Sequence, residues 1–303
     1  MGFEPPRRLV RSLAEKYGEP PAAAWLGQLS EATGEAVARR GLDVERLVAP
    51  GGRSALLLLV RRPDGSPATL KVAPGFAGPG PERAALACWH GWGAVRLLDD
   101  TAAPDGALLL ERLHPEISLR SLPEAKALLE AADTVRKLWV EPPAGHAFET
   151  VAERTARQAE PLRASSGDEP FAPLVSAALA ARDELCADAS AGRAVLLHGA
   201  FRQGKVLAGD RAPWLAVGPE PLVGERAYDL ARLARDRVED LVASDAGASS
   251  ARRRLNRLAD SLDLDRERLR GWTLFRAVES GVRAWRAERR QSAELLLEYA
   301  GWL

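Results

Sequence analysis

The stretch "LLHGAFRQGKVLAGDRAPWLAVGPEPLVGERAYDLARL", residues 196–233, sets a short apolar run ending in His-Gly beside a polar turn, a second apolar run "PWLAV" and an amphipathic "ERAYDLARL". Both apolar runs have strand length and are bounded by Gly and Pro, so the spacing predicts one short hairpin followed by a helix. Around it strand signals nearly vanish after Ser121. Helical periodicity covers 123–140, 147–163, 171–188, 225–243, 249–261 and 266–299. In the last of these Trp272, Phe275, Val278, Val282 and Trp285 recur at three- and four-residue spacing, the signature of a face turned to a core.

Upstream the pattern reverses. "ERLVAPGGRSALLLLVRRPDGSPATLKVAP" holds two β runs around the turn signal Pro63-Asp64-Gly65, a hairpin with Gly51 and Gly52 at its entrance. "GPERAALACWHGWG" reads as a helix opened by Pro81 and Glu82 and closed by Gly91 or Gly93. "AVRLLD" and "ALLLERL" follow as short strands of a second hairpin, and a helix over residues 20–40 precedes the first. These elements predict an α+β fold with a small β-rich N-lobe, 1–112, and a larger helical C-lobe, 113–303. The polar loop at 164–170 is too short for an interdomain linker.

Composition narrows the partners. The 303 residues carry 42 Lys plus Arg against 42 Asp plus Glu, so no bulk field draws the chain to nucleic acid or an anionic membrane, and neither is expected as a partner. Cys88 and Cys186 lack metal or redox spacing and read as reduced, buried small hydrophobes. No metal site is expected from His90, His114, His146 and His198, which lack ligand spacing. The N-terminus lacks the apolar core of a signal peptide, and the longest strongly apolar run, Ala55 to Val60, is far too short to cross a bilayer; the expected location is cytoplasmic. Cations are almost all Arg, so Lys71 and Lys205 stand out.

Taken in order, "ATLKVAP", "PERAALACW", "ALLLERL", "VLLHGAFRQGKVL", "PWLAVGPE" and "LVGERAYDLARL" span residues 50–235 and resemble the aminoglycoside and hydroxyurea phosphotransferases, the streptomycin 6-kinase group. The resemblance implies a two-lobed, protein-kinase-like fold. It also implies that Lys71 reaches nucleotide phosphates while Glu82 holds it, that Glu111 to Leu113 offer hinge backbone atoms to a base, and that Gly51, Gly52 and Ser54 expose N–H groups to phosphate oxygens. Read without the resemblance, Lys71 and Glu82 are a surface lysine and a helix-start glutamate, and the Gly pair a turn.

The departures from the family carry more information. Members have an H-G-D-x-x-x-x-N loop and an Asp in "PWLAIDPK". Here His198 matches the bracing histidine, but Ala200 stands at the general base, Lys205 at the metal-binding Asn and Gly218 at the metal-binding Asp. A methyl group accepts no proton, and loss of a positioned base costs on the order of 10² to 10⁴ in rate. The scaffold phrases around these positions persist, with Asp229 at a loop-bracing place.

The resulting expectation is a pseudokinase that binds ATP or another nucleotide without Mg, Lys71 and Lys205 flanking the phosphates, and that acts through a small-molecule ligand or a regulatory protein partner. The alternative is an active or repurposed ATP-dependent phosphotransferase with an alcohol acceptor, in which Lys205 or Glu220 takes over a lost role. Glu220, and Glu279 as the lone acid candidate in the basic segment 266–290, are the expected substrate contacts.

Overall fold

The computed structural model describes residues 4–99, 106–164, 169–188 and 192–303. Most of the polar loop expected at 164–170 therefore lies outside the described residues. The chain divides into two compact units, residues 1–118 with 207–217, and residues 119–206 with 218–303. The sequence reading places a single boundary at 112/113. The difference arises because β5 (Leu113–Ser118) pairs with β7 (Val206–Gly209), which returns a later segment to the first unit.

In the first unit, β1 (Asp43–Leu47), β2 (Leu56–Arg61), β3 (Pro67–Val72) and β4 (Ala107–Glu111) form one antiparallel sheet in that order. Alternation sends Leu56, Leu58 and Val60 of β2, and Ala68, Leu70 and Val72 of β3, to one face. That face joins a core built with Leu9 and Leu13 of α1 (Arg7–Tyr17) and Ala22, Leu29 and Ala36 of α2 (Glu19–Arg39). Lys71 alternates to the opposite face, level with Leu57 and Leu108. The helix expected after the hairpin is α3 (Pro79–Trp89), ended by His90 and Gly91 at positive φ, 46° and 81°.

"AVRLLD" lies antiparallel against β4, as the hairpin expectation has it, through the bridge of Leu97 with Leu110 and the bonds from Leu98 N–H to Leu109 O at 2.8 Å and from Glu111 N–H to Arg96 O at 2.9 Å, while "ALLLERL" divides between β4 and β5. One strand expectation needs correction: "AVLLH" does not pair with "PWLAV". Instead β6 (Val195–Leu197) pairs with β9 (Leu222–Gly224), and β8 (Leu215–Ala216) joins β7 in the three-stranded sheet β5-β7-β8. The run "VLAG" is itself strand-forming and reaches β8 through a hairpin-length loop, so the nearer partner wins.

The second unit is helical apart from β6 and β9. It contains α4 (Glu124–Leu138), α5 (Val151–Arg163), α6 (Ala172–Ala187), α7 (Arg226–Ala234), α8 (Val238–Val242), α9 (Gly247–Leu262), α10 (Arg266–Arg286) and α11 (Arg290–Gly301). The predicted helix 225–243 breaks into α7 and α8 at Arg237, and 266–299 breaks before α11 at Glu288, both with left-handed φ. α10 packs against α6, α7, α9 and α11, and its stripe Trp272, Phe275, Val278 and Val282 is buried. The cysteines are free, but Cys88 is only half-buried and Cys186 is exposed, so they are not the core residues expected. Among the described residues no helix is long and apolar enough to cross a membrane.

Candidate functional site

In the first unit Lys71 Nζ donates to Glu82 Oε2, and both side chains are buried, with exposures of 11% and 4%. The strand register and the start of α3 bring the two together, so the pair is not the exposed lysine and glutamate that spacing alone also allowed. Glu82 Oε1 is buried without a partner among the described residues. Gly51, Gly52 and Ser54 lie in the loop between β1 and β2. A Cβ at Gly51 would sit 2.7 Å from Val48 O, and one at Gly52 would sit 2.7 Å from Ala55 O. The loop's own backbone thus accounts for both glycines.

Glu111 is heavily engaged. Its N–H donates to Arg96 O at 2.9 Å, and its carboxylate accepts from Arg96 N–H at 2.8 Å and from Arg211 Nη2 at 2.7 Å. Leu113 is buried in β5 opposite Gly209. Any hinge role would therefore fall to backbone atoms other than the Glu111 N–H.

In the second unit the loop after β6 is held from below. Asp229 of α7, fully buried, accepts from His198 N–H at 2.9 Å and Gly199 N–H at 2.8 Å. Burial pushes its carboxyl up to about 6, against the pull of those N–H groups and Arg276. His198 is also fully buried, and its Nδ1 accepts from Ala200 N–H at 3.3 Å. Gly199 has φ 73°, and a Cβ there would lie 1.9 Å from Glu220 O. Ala200 is fully buried, its methyl group where the resemblance puts a base.

Further along, a 3-10 turn at Gln203–Lys205 carries the two remaining changed positions toward each other. Lys205 Nζ donates to Gly218 O at 2.6 Å. The ammonium thus joins the two positions at which the resemblance puts a metal-binding amide and a metal-binding carboxylate. Neither position offers an oxygen-bearing side chain, and a single charge about 4 Å from a dication is repelled by about 8 kcal/mol at an effective dielectric near 20. These residues do not fit a magnesium ion. Among the described residues no three His, Cys, Asp or Glu side chains are grouped to hold a metal.

Other braces escaped the sequence reading. Asp236 accepts from Gln203 N–H at 2.5 Å, Arg237 Nε donates to Gln203 Oε1 at 2.8 Å, and Arg276 Nη2 donates to Gly199 O at 2.9 Å. The only signal was the density of arginine and aspartate in "ARDRVED". Of the expected substrate contacts, Glu279 pairs with Arg283 at 3.5 Å and accepts from Ser280 Oγ at 3.0 Å, while Glu220 lends its N–H to His198 O at 2.9 Å.

A lysine–glutamate pair below a hairpin, and a His-Gly loop pinned by a buried aspartate, define a protein of the kinase fold, of the aminoglycoside phosphotransferase type. Solved structures agree in fold. A thermostable mutant of aminoglycoside phosphotransferase APH(4)-Ia in ternary complex with ADP and hygromycin B matches with a TM-score of 0.59 and 16% identity, covering 88% of this chain and 95% of that one. A choline/ethanolamine kinase family protein from Mesorhizobium loti matches with a TM-score of 0.59 and 14% identity, covering 89% and 94%.

The chain belongs to the aminoglycoside/hydroxyurea antibiotic resistance kinase family, whose sequence profile matches residues 40–288. It is 30% identical over 282 residues to a streptomycin 6-kinase of Streptomyces glaucescens, covering 92% of this chain and 90% of the relative. It is 34% identical over 285 residues to a hydroxyurea phosphotransferase of Kitasatospora aureofaciens, covering 90% and 77%.

Proposed function

We propose that this chain is a pseudokinase of its family, a protein that binds a ligand or partner and does not carry out magnesium-dependent phosphoryl transfer. The observation that carries this reading is the hydrogen bond from Lys205 Nζ to Gly218 O. Phosphoryl transfer requires a metal held by protein oxygens and a residue that orients the attacking hydroxyl. Here an internal cation takes the metal's place, and Ala200 cannot take a proton. The bracing network of His198, Gly199 and Asp229 nevertheless persists, as expected of a loop kept for its shape.

The buried Lys71–Glu82 pair supports a narrower point, that a nucleotide binds through Lys71 without magnesium. It also favours the competing reading of an active or repurposed phosphotransferase, in which Lys71, held by Glu82, would bind phosphate. Melting with ATP or ADP, each with magnesium or with EDTA, separates the two. The pseudokinase reading expects a nucleotide-induced rise that EDTA leaves unchanged. A rise that requires magnesium, with ADP release in the presence of streptomycin or hydroxyurea, would establish the competing reading.

A further inference from the structure

Lys205 owes its position to residues outside its own loop. Gln203, two residues before it in the 3-10 turn, is fully buried and is gripped from the segment that follows α7: its N–H donates to Asp236 Oδ2 at 2.5 Å, and its Oε1 accepts from Arg237 Nε at 2.8 Å. The far end of the same guanidinium, Nη2, donates to Leu122 O at 2.8 Å and to Arg120 O at 3.1 Å, with Leu119 O at 3.4 Å. Those carbonyls belong to another 3-10 turn, Leu119–Ser121, and to the residue after it. One side chain thus ties together two turns that are distant in sequence.

Two features separate this link from ordinary surface bonding. The backbone of Arg237 is left-handed, φ 55°, at the break between α7 and α8, a conformation that costs a non-glycine residue free energy and persists where the surrounding bonds over-determine it. The second feature is Gln203 itself, whose Nε2 is buried without a partner among the described residues. A buried amide with unmade donor bonds is costly, so an apolar side chain would pack there more favourably unless Oε1 were needed. The bond that Oε1 makes is the one from Arg237. The turn is also short and stiff: Lys205 N–H closes it on Arg202 O at 2.8 Å, so a displaced Gln203 carries Lys205 with it.

We propose that Arg237 is a positioning residue for Lys205: acting through Gln203, it fixes the turn so that Lys205 Nζ stays bonded to Gly218 O. Lysine would not replace it, because only the planar fork of a guanidinium reaches the Gln203 amide and the 119–122 carbonyls together. Only what Lys205 then does to a ligand depends on the binding reading above. Its placement is measured on the protein without nucleotide or metal, so ATP turnover would leave the Arg237 link standing, and a Lys205 indifferent to Arg237 would leave the question of turnover where it is.

The test is acylation of the full chain by acetic anhydride at constant pH and ionic strength, with the rate at each lysine read by peptide mass spectrometry. Lys205 is compared with Lys137 of α4, in the same unit and paired with Asp133 at 2.6 Å, which reports general loosening. Arg237→Lys and Gln203→Met should each raise acylation of Lys205 about fivefold, the effect of one lost hydrogen bond on a local opening equilibrium, and leave Lys137 within about twofold. Both substitutions together should raise it no further than either alone, because they cut the same link. Gln203→Met keeps the length of the side chain and removes the unpartnered Nε2, so it decides the matter by itself where Arg237→Lys does not fold. Acylation of Lys205 at the wild-type rate in Gln203→Met, effects that multiply in the double variant, or an equal rise at Lys137 would each overturn the proposal.

Discussion

Gly199→Ala is the sharpest stability test of the braced loop. The added Cβ would meet Glu220 O at 1.9 Å and Glu220 C at 3.0 Å, and the residue's φ is 73°. Holding a non-glycine residue in the left-handed region costs about 1–2 kcal/mol. The contact is with backbone rather than the end of a side chain, so the Glu220 peptide must retreat by roughly 1.5 Å or more to reach normal packing distance. That movement strains the bond from Glu220 N–H to His198 O, 2.9 Å long, and losing it adds about 1 kcal/mol. The expected loss is therefore about 3 kcal/mol or more, in the range reserved for a named structural defect.

Urea denaturation with unchanged slope reads this directly. Gly27→Ala in α2 is the control, since nothing lies within 4 Å of its added Cβ. It should gain about 0.5–1 kcal/mol from reduced chain entropy and better helix propensity. A Gly199→Ala protein within about 1 kcal/mol of the wild type would refute the tight approach of the loop to Glu220, since strain alone accounts for at least that much.

Three further outcomes follow from the same geometry. Lys71→Met strands the Glu82 carboxylate and should cost about 3–5 kcal/mol in urea, whereas Lys71→Met with Glu82→Met should recover most of it. For Asp229 the folded carboxyl, at about 6, lies above its ordinary value of 3.8. Its contribution is thus complete below the unfolded value and lost as pH rises through about 6, worth about 3 kcal/mol over that interval. Wild type should accordingly lose that much stability relative to Asp229→Asn between pH 4 and pH 7; parallel pH profiles would contradict it. Gly218→Asp places its Cβ 3.8 Å from Lys205 Nζ at φ 61°, a conformation that Asp tolerates. The new carboxylate should pair with Lys205 and add no manganese affinity by electron paramagnetic resonance, while Gly218→Asp with Lys205→Asn should add it.

The fold was legible because its strongest signals were local and ordered: the Pro63-Asp64-Gly65 hairpin, the Pro81 helix start and the α10 stripe each follow from period and turn chemistry. Strand pairing was not, because "VLAG" and "AVLLH" are equally apolar and only tertiary context decides which meets "PWLAV". The breaks at Arg237 and Glu288 were invisible for a related reason, since neither is a residue type that announces left-handed backbone. At the site, the identities of Ala200, Lys205 and Gly218 were plain in the sequence, yet that Lys205 reaches the Gly218 carbonyl depends on a turn and a crossing of segments 13 residues apart. The arginine cluster of α7 and α10 was half visible. The basic character of α10 could be read, but its pairing with acids from other segments, and the bonds from Arg235 to Arg276 O and from Arg276 to Gly199 O, required the packing of α7.

The most direct measurement is steady-state ADP release by the unmodified protein, with saturating ATP and magnesium and a panel of hydroxyl-bearing acceptors including aminoglycosides and hydroxyurea. On the proposed reading, in which Lys205, bonded to Gly218 O, takes the metal's place and residue 200 supplies no proton acceptor, release should not exceed that of buffer. Sustained, magnesium-dependent ADP formation that tracks loss of acceptor would contradict it.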